Sequence, residues 1–440
     1  MLMKLKILSV KHLVLSTLLA ITSLLYLDYS RNPPFAAAII ISIIVVYIVA
    51  ARKLDYTDTY VVFALPWMMI VIFSLIPMSS YSKEIHKVTY ELVFAALFTG
   101  LLACGYRKKR IRGPLKWMIP RRSPIRAKYC LAALDIGLVS FTILNIVIAG
   151  YIPLLRGLTS GDTGYLDFGV HGLYGFYLAF ANALAIFYIL LFYRTNRKVF
   201  LLRYGVVILI FVLLVTRQNL ISVGVETVAV YSIVRGKISW RSIIIMGLTA
   251  AFAFSLLGLF RSGSIKDIAD VKQQYLWLPD PVIWIYCYSY FNIANVDNLV
   301  RFSHAPYFNG SSFANLMPSF IRPDYQMGDY LQSIYFNVSS YIYPVYQDLG
   351  LLGVIAITFV ALRVTERWHR KVYSTASLFS IGTFSVLYFC AAFSFFVNFW
   401  FFLPIIFQIV FFKLLSNLHE RTVNEYQHFQ ATPILARGPV

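Results

Sequence analysis

Apolar runs long enough to cross a bilayer recur about a dozen times along the chain, separated by short polar stretches. The predicted spans are Val10 to Leu27, Pro34 to Ala51, Tyr60 to Met78, Val88 to Tyr106, Tyr129 to Ile152 and Leu173 to Tyr193. They continue with Phe200 to Thr216, Leu220 to Val234, Ser242 to Phe260, Tyr343 to Leu362, Ala376 to Phe396 and Phe399 to Leu415. The seventh and eighth are short and share a hairpin near Arg217. Strands of a transmembrane barrel would alternate between apolar and polar positions, whereas FAAAIIISIIVVYIVA from Phe35 to Ala50 does not. The pattern predicts an all-α polytopic membrane protein, one integral membrane domain over residues 1–440 with about 12 transmembrane helices.

Composition removes the soluble alternatives: 59% of the 440 residues are apolar and 13% are charged. A net charge of +20 raises the question of nucleic acid, but the basic residues sit at span ends, where they set membrane orientation. With a cytoplasmic N-terminus, 29 of the 39 Lys and Arg fall on the cytoplasmic side. This predicts that both termini are cytoplasmic and that no nucleic acid is bound. The same threading makes 107–128 a basic cytoplasmic loop against anionic headgroups, 152–172 an outer loop, 262–346 a long outer loop and 416–440 a cytoplasmic tail. Lys4, Lys6 and Lys11 precede the first run without a small-residue cleavage site after it, which predicts a retained helix. Cys104, Cys130, Cys287 and Cys390 have no ligand spacing, so neither a disulfide framework nor a metal site is expected.

Candidate chemistry gathers on the long outer loop, a cap over the expected active site, where Lys266, Lys272 and the arginines lie among Trp277, Trp284, Tyr286, Tyr288 and Tyr290. Cations among aromatic rings beside a bilayer suit a lipid-linked anionic sugar. Within the loop, Pro279 to Val300 is too polar and too aromatic for a span and reads as an interfacial or re-entrant helix. Arg217, Arg261 and Arg322 stand where spans meet the outer surface, at the depth of a lipid diphosphate; snorkelling to ordinary lipid phosphate is the alternative. Arg156 and Arg301 lie in the outer loops. A sugar hydroxyl attacking an anomeric carbon gains from a base. His304 is the candidate by residue type, with Asp348, Asp324 and Asp329 as rivals and His86 and His171 in other outer loops. Asp348 opens a span, where a helix N-cap is an equal reading. Glu91, Asp135 and Glu226 lie within spans, as a proton path or as paired groups. No phosphate loop, nucleophile elbow, HExxH or dinucleotide fingerprint stands in a strand-to-helix setting, so no cofactor is expected.

Four segments carry a resemblance: LLVTRQNLISVGVETVAVYSIVRGK, FSLLGLFRSGS, PDPVIWIYCYSYFNIAN and YFNVSSYIYPVYQDLGLLG. In position and residue type the chain resembles the Wzy-type oligosaccharide repeat-unit polymerases, the O-antigen and capsule polymerases of bacterial inner membranes. The resemblance covers about a third of the chain, between Phe200 and Gly353. It implies a metal-independent, GT-C-like glycosyltransferase with its active site facing the periplasm. Growing glycan would move from an undecaprenyl diphosphate carrier onto a lipid-linked repeat unit, alongside a flippase and a chain-length regulator as partners. On that reading Arg217 and Arg261 hold the diphosphate, Arg322, Arg156, Arg301 and Tyr290 assist with phosphate or glycan, and His304 or Asp348 takes the acceptor proton. Some members repeat an arginine with a glycine eleven positions later, whereas here Gly169 follows Arg156 at thirteen and Ser333 stands eleven beyond Arg322. An O-antigen ligase shares the carrier and arginines but has another acceptor, and a flippase for lipid-linked oligosaccharide is the alternative from outside the enzyme class.

Overall fold

The computed structural model describes residues 2–52, 54–105, 125–165, 167–170, 172–236, 264–318, 321–322, 330–333 and 335–431. Among them the regular structure is helical, with one isolated bridge between Ser79 and Val271. The helices are α1 (Leu2–Tyr29), α2 (Pro33–Tyr47), α3 (Thr59–Ser74), α4 (Lys87–Cys104), α5 (Ile125–Ala149), α6 (Pro153–Ser160) and α7 (Leu173–Thr195). They continue as α8 (Val199–Leu213), α9 (Arg217–Arg235), α10 (Ile265–Ile268), α11 (Asp280–Phe302), α12 (Ile342–Thr375), α13 (Leu378–Ala392) and α14 (Leu403–Ala431). Five helical stretches are long and apolar enough to cross a membrane: Pro33–Arg52, Lys87–Cys104, Tyr129–Ser160, Leu173–Thr195 and Ile342–Thr375. Shorter apolar helices accompany them, as in a helical, multi-pass membrane protein. The predicted span Ser242 to Phe260, Arg261 and most of the basic loop 107–128 lie outside the described residues.

Polar side chains set the helix starts. Asn32 accepts the Phe35 N–H at 3.1 Å where two prolines open α2, Asp58 accepts the N–H groups of Tyr60 and Val61 at α3, and the His86 side chain accepts the Val88 N–H at α4. The chain divides into two compact units. The first comprises Met1–Pro114, Tyr231–Tyr373 and Leu387–Leu403, and the second Leu115–Val230, Ser374–Val386 and Pro404–Val440.

In the first unit α1, α2 and α3 pack around α4, and α11 packs against both α3 and α4. Its aromatic centre joins Trp67, Tyr341 and Trp400, with ring centroids 5.8 Å and 5.1 Å apart, and the Trp67 indole donates to Ser394 Oγ at 2.9 Å. At one end of α3 the buried Arg52 pairs with Asp58 at 2.8 Å and donates to the Gly105 carbonyl at 2.5 Å. Beside that pair, Glu366 of α12 accepts from Thr59 at 3.0 Å and from Arg370 at 2.9 Å. This network explains why α12 runs on to Thr375, past the predicted end at Leu362: the charged extension is held by protein partners.

In the second unit α7 packs against α5 and α8. The intramembrane carboxylates there have partners. Asp135 pairs with Arg203 at 3.2 Å and accepts from Tyr188 at 2.5 Å, while Glu226 accepts from Ser222 at 2.7 Å and from Gln408 at 2.8 Å.

The helix expected over Pro279 to Val300, interfacial or re-entrant, is present as α11. Helix α11 is buried without interruption from Ser289 to Leu299, including Asn292, Asn295 and Asp297. Asn295 and Asp297 of α11 find their hydrogen-bond partners within the protein.

Removing one partner of a buried ion pair leaves an uncompensated charge, so Asp58→Ala is expected to destabilise the protein by about 3–5 kcal/mol. The double change Arg52→Met with Asp58→Leu should recover most of that loss, read from unfolding midpoints of the purified variants.

Candidate functional site

The described residues between Ser264 and Tyr341 are fastened to the loop between α3 and α4. Pro281 in the first turn fixes the entry of α11, and Asp280 and Arg301 lie at the ends where the helix dipole favours their charges. Along one face the hydroxyls of Tyr286 and Tyr290 reach the loop. Tyr286 bonds to Met78 N–H and Ser82 Oγ, and Tyr290 accepts the Lys83 N–H at 2.6 Å. Two turns on, the fully buried carboxylate of Asp297 gathers four donors. Arg301 approaches at 2.7 Å, Lys83 at 3.2 Å, the His86 N–H at 2.7 Å and the Thr89 hydroxyl at 2.8 Å. Burial lowers the Lys83 pKa from its ordinary value, and Asp297 opposes that shift only in part.

Further along, Asn295 donates to the carbonyls of Phe336 and Val338 and accepts the Gln332 N–H at 2.7 Å, so the returning chain is tied to the same helix. The segment after α11 is tied to α12. Tyr307 N–H donates to Gln347 O and Phe308 N–H to Asp348 O, each at 2.9 Å, while the Asp348 carboxylate accepts the Gly310 N–H at 2.8 Å and the Ser312 N–H at 3.4 Å. Asp348 therefore does not cap its own helix. Two residues later Gly350 kinks α12 at φ 64° and ψ −159°, a conformation close to glycine-only.

Of the residues singled out from sequence, the first unit brings His304, Asp348, Arg301 and Tyr290 onto one framework. Arg301 and Tyr290 are committed to it, Arg301 to Asp297 and the Glu84 carbonyl, and Tyr290 to the backbone of Lys83. His304 is exposed, and its imidazole has no hydrogen bond among the described residues; only its N–H is engaged, by Tyr307 at 3.3 Å. The hydroxyl of Tyr307 is held below the usual phenol range, first by the hydrogen bond from Tyr330 and then by the His304 N–H. Arg322 is exposed and donates to the Met317 carbonyl at 3.1 Å. Asp324, Asp329, His171 and Arg261 lie outside the described residues.

In the second unit Arg217 is the first residue of α9 and is 6% exposed. Guanidinium and helix N-terminus there add two sources of positive potential. Arg156 is on the surface, 4.5 Å over the Tyr151 ring and 2.9 Å from Asp162. A cavity of about 20 Å³, room for one water, is lined in that unit by Cys130, Leu131, Leu134, Phe187, Leu415, Leu418 and His419 and touches no candidate residue.

Sequence reasoning missed Asp297, Lys83 and Asn295. The signal for Asp297 is faint: an Asp four residues before Arg301 on a helix otherwise aromatic. Among the described residues no cluster of three or more His, Cys, Asp or Glu could hold a metal ion. Comparison with protein-family models, with curated proteins and with solved structures finds no match.

An alanine at 350 meets ordinary contacts but an unfavourable backbone, so Gly350→Ala should cost about 1–3 kcal/mol. Asp348→Asn keeps one acceptor oxygen for the 310–312 turn and should unfold close to wild type. Asp348→Ala should lose about 1–3 kcal/mol, both changes being read from thermal midpoints.

Proposed function

We propose that this protein polymerises lipid-linked oligosaccharide repeat units at the periplasmic face of a bacterial inner membrane. In this reading it has about 12 spans with both termini cytoplasmic. The growing glycan leaves its undecaprenyl diphosphate and joins the terminal sugar of a lipid-linked acceptor. The acceptor hydroxyl oxygen forms a bond to the anomeric carbon, the bond from that carbon to the diphosphate breaks, and the lipid diphosphate departs with the electron pair. His304 accepts the hydroxyl proton and later returns it to solvent. Arg217 and Arg261 stabilise the charge growing on the leaving diphosphate, with Arg322 and Arg156 in support.

The observation that carries this reading is the contrast inside one framework. The cations and acids of α11 neutralise one another, whereas the imidazole of His304, two residues past the end of that helix, is exposed without a side-chain partner among the described residues. A base must present an accessible lone pair to its substrate, and the exposed His304 meets that condition. Asp348, already accepting two N–H groups, serves better as the support that positions the His304 segment.

A lipid-linked oligosaccharide transporter is the second reading. The buried polar contacts of Glu226 with Ser222 and Gln408 favour it, because transporters place such groups within the bilayer.

Purified protein incubated with lipid-linked repeat unit and no nucleotide should give a glycan ladder. Transbilayer movement without new glycosidic bonds would support the transporter instead. His304→Ala should slow ladder formation by about 10²-fold or more at normal abundance. Arg217→Ala and Arg261→Ala should each shorten the chains strongly, and ladders of wild-type length from these arginine variants would remove them from the diphosphate site.

A further inference from the structure

Six polar atoms at one junction of the first unit have no hydrogen-bond partner among the described residues: Asn292 Oδ1, Ser339 Oγ, Ser340 Oγ, Gln347 Oε1, Asn398 Oδ1 and Trp400 Nε1. All six residues are exposed by 8% or less. Native interiors satisfy nearly every buried polar atom, so a concentration of exceptions points to a ligand.

Hydrogen bonds and ring contacts join the segments that carry the six. Tyr341 N–H donates to Ser394 O at 3.0 Å, which sets Ser340 beside the loop that carries Asn398 and Trp400, and the Trp400 ring lies 5.1 Å from that of Tyr341. Asn398 donates to the Ser312 carbonyl at 3.2 Å, and Ser312 donates to the Pro344 carbonyl at 3.3 Å, one turn before Gln347. Asn295, one turn from Asn292 on α11, bonds the carbonyl of Val338 at 3.0 Å, next to Ser339.

The chemistry of the set selects the ligand. It holds amide oxygens, hydroxyls and an indole N–H, without a charged group. A diphosphate or a metal ion would demand charge, whereas sugar hydroxyls, each both donor and acceptor, match neutral groups of both kinds.

We propose that this junction is a binding subsite for a neutral sugar, the terminal residue of the acceptor glycan. The assignment rests on the glycan-handling function proposed above and names where its uncharged substrate is read. The Gln347 carbonyl accepts the Tyr307 N–H at 2.9 Å, so the subsite adjoins the segment that carries His304.

Ser340→Ala and Gln347→Leu provide the test, because Ser340 Oγ and Gln347 Oε1 make no hydrogen bond among the described residues. Purified wild type is titrated with glucose, galactose and N-acetylglucosamine, followed by tryptophan fluorescence with Trp400→Phe as the reporter control and by thermal shift. The expected result is saturable binding of at least one sugar, weakened about tenfold or more in both variants, with unfolding midpoints no lower than wild type. Wild type that binds none of the three sugars, or variants that bind as wild type does, would overturn the subsite. The ladder assay separates the two claims. Ladders from wild type and both variants without sugar binding would discard the subsite and keep the polymerase. Sugar binding that needs Ser340 and Gln347 without any ladder would keep the subsite and discard the polymerase.

Discussion

A single buried carboxylate organises the part of this molecule where function is sought. Asp297 has no exposed surface, and a lone carboxylate there would be prohibitively costly, so its position is tenable only with Lys83, Arg301, the His86 N–H and Thr89 around it. Those donors come from the loop before α4, from the start of α4 itself and from the next turn of α11. Satisfying one charge therefore locks three stretches of chain into one arrangement. Tyr286 and Tyr290 extend the same seam by about another three turns.

The consequence for function is a division of labour among residues that look alike in sequence. Arg301 and Arg322 both belong to the long segment, yet one is bound to a buried acid and the other is exposed. His304 and Asp348 divide in the same way, the histidine presenting its ring and the aspartate spending its oxygens on backbone N–H groups. A framework that consumes most of its own charge leaves few groups for substrate, and those few become the candidates. Arg217 belongs to a different setting, the start of α9 in the second unit, where burial and a helix N-terminus act on one guanidinium.

Much of the fold was legible because hydrophobic runs are local: Leu173 to Tyr193 was expected, and a helix from Leu173 to Thr195 is present. Its limits were less legible where polar residues find distant partners. The extension of α12 beyond Leu362 depends on Glu366 meeting Thr59, 307 positions away in sequence, and no local pattern encodes that meeting. The burial of α11 was hidden for the same reason, since Asn295 and Asp297 look like surface residues until Val338 and Lys83 are beside them. Residue type alone identified His304, Arg301 and Tyr290 as noteworthy. It could not tell which of them would be used up by the scaffold, because that depends on neighbours more than 200 positions apart, as between Tyr290 and Lys83.

Amide hydrogen exchange in the purified protein tests the central claim, that the long segment is a fixed framework held through Asp297. The amides of Lys83 and His86, bonded to Tyr290 and Asp297, should exchange slowly and together with Gly310 and Ser312, bonded to Asp348. Exchange of these four amides at the rate of unprotected backbone would contradict the account.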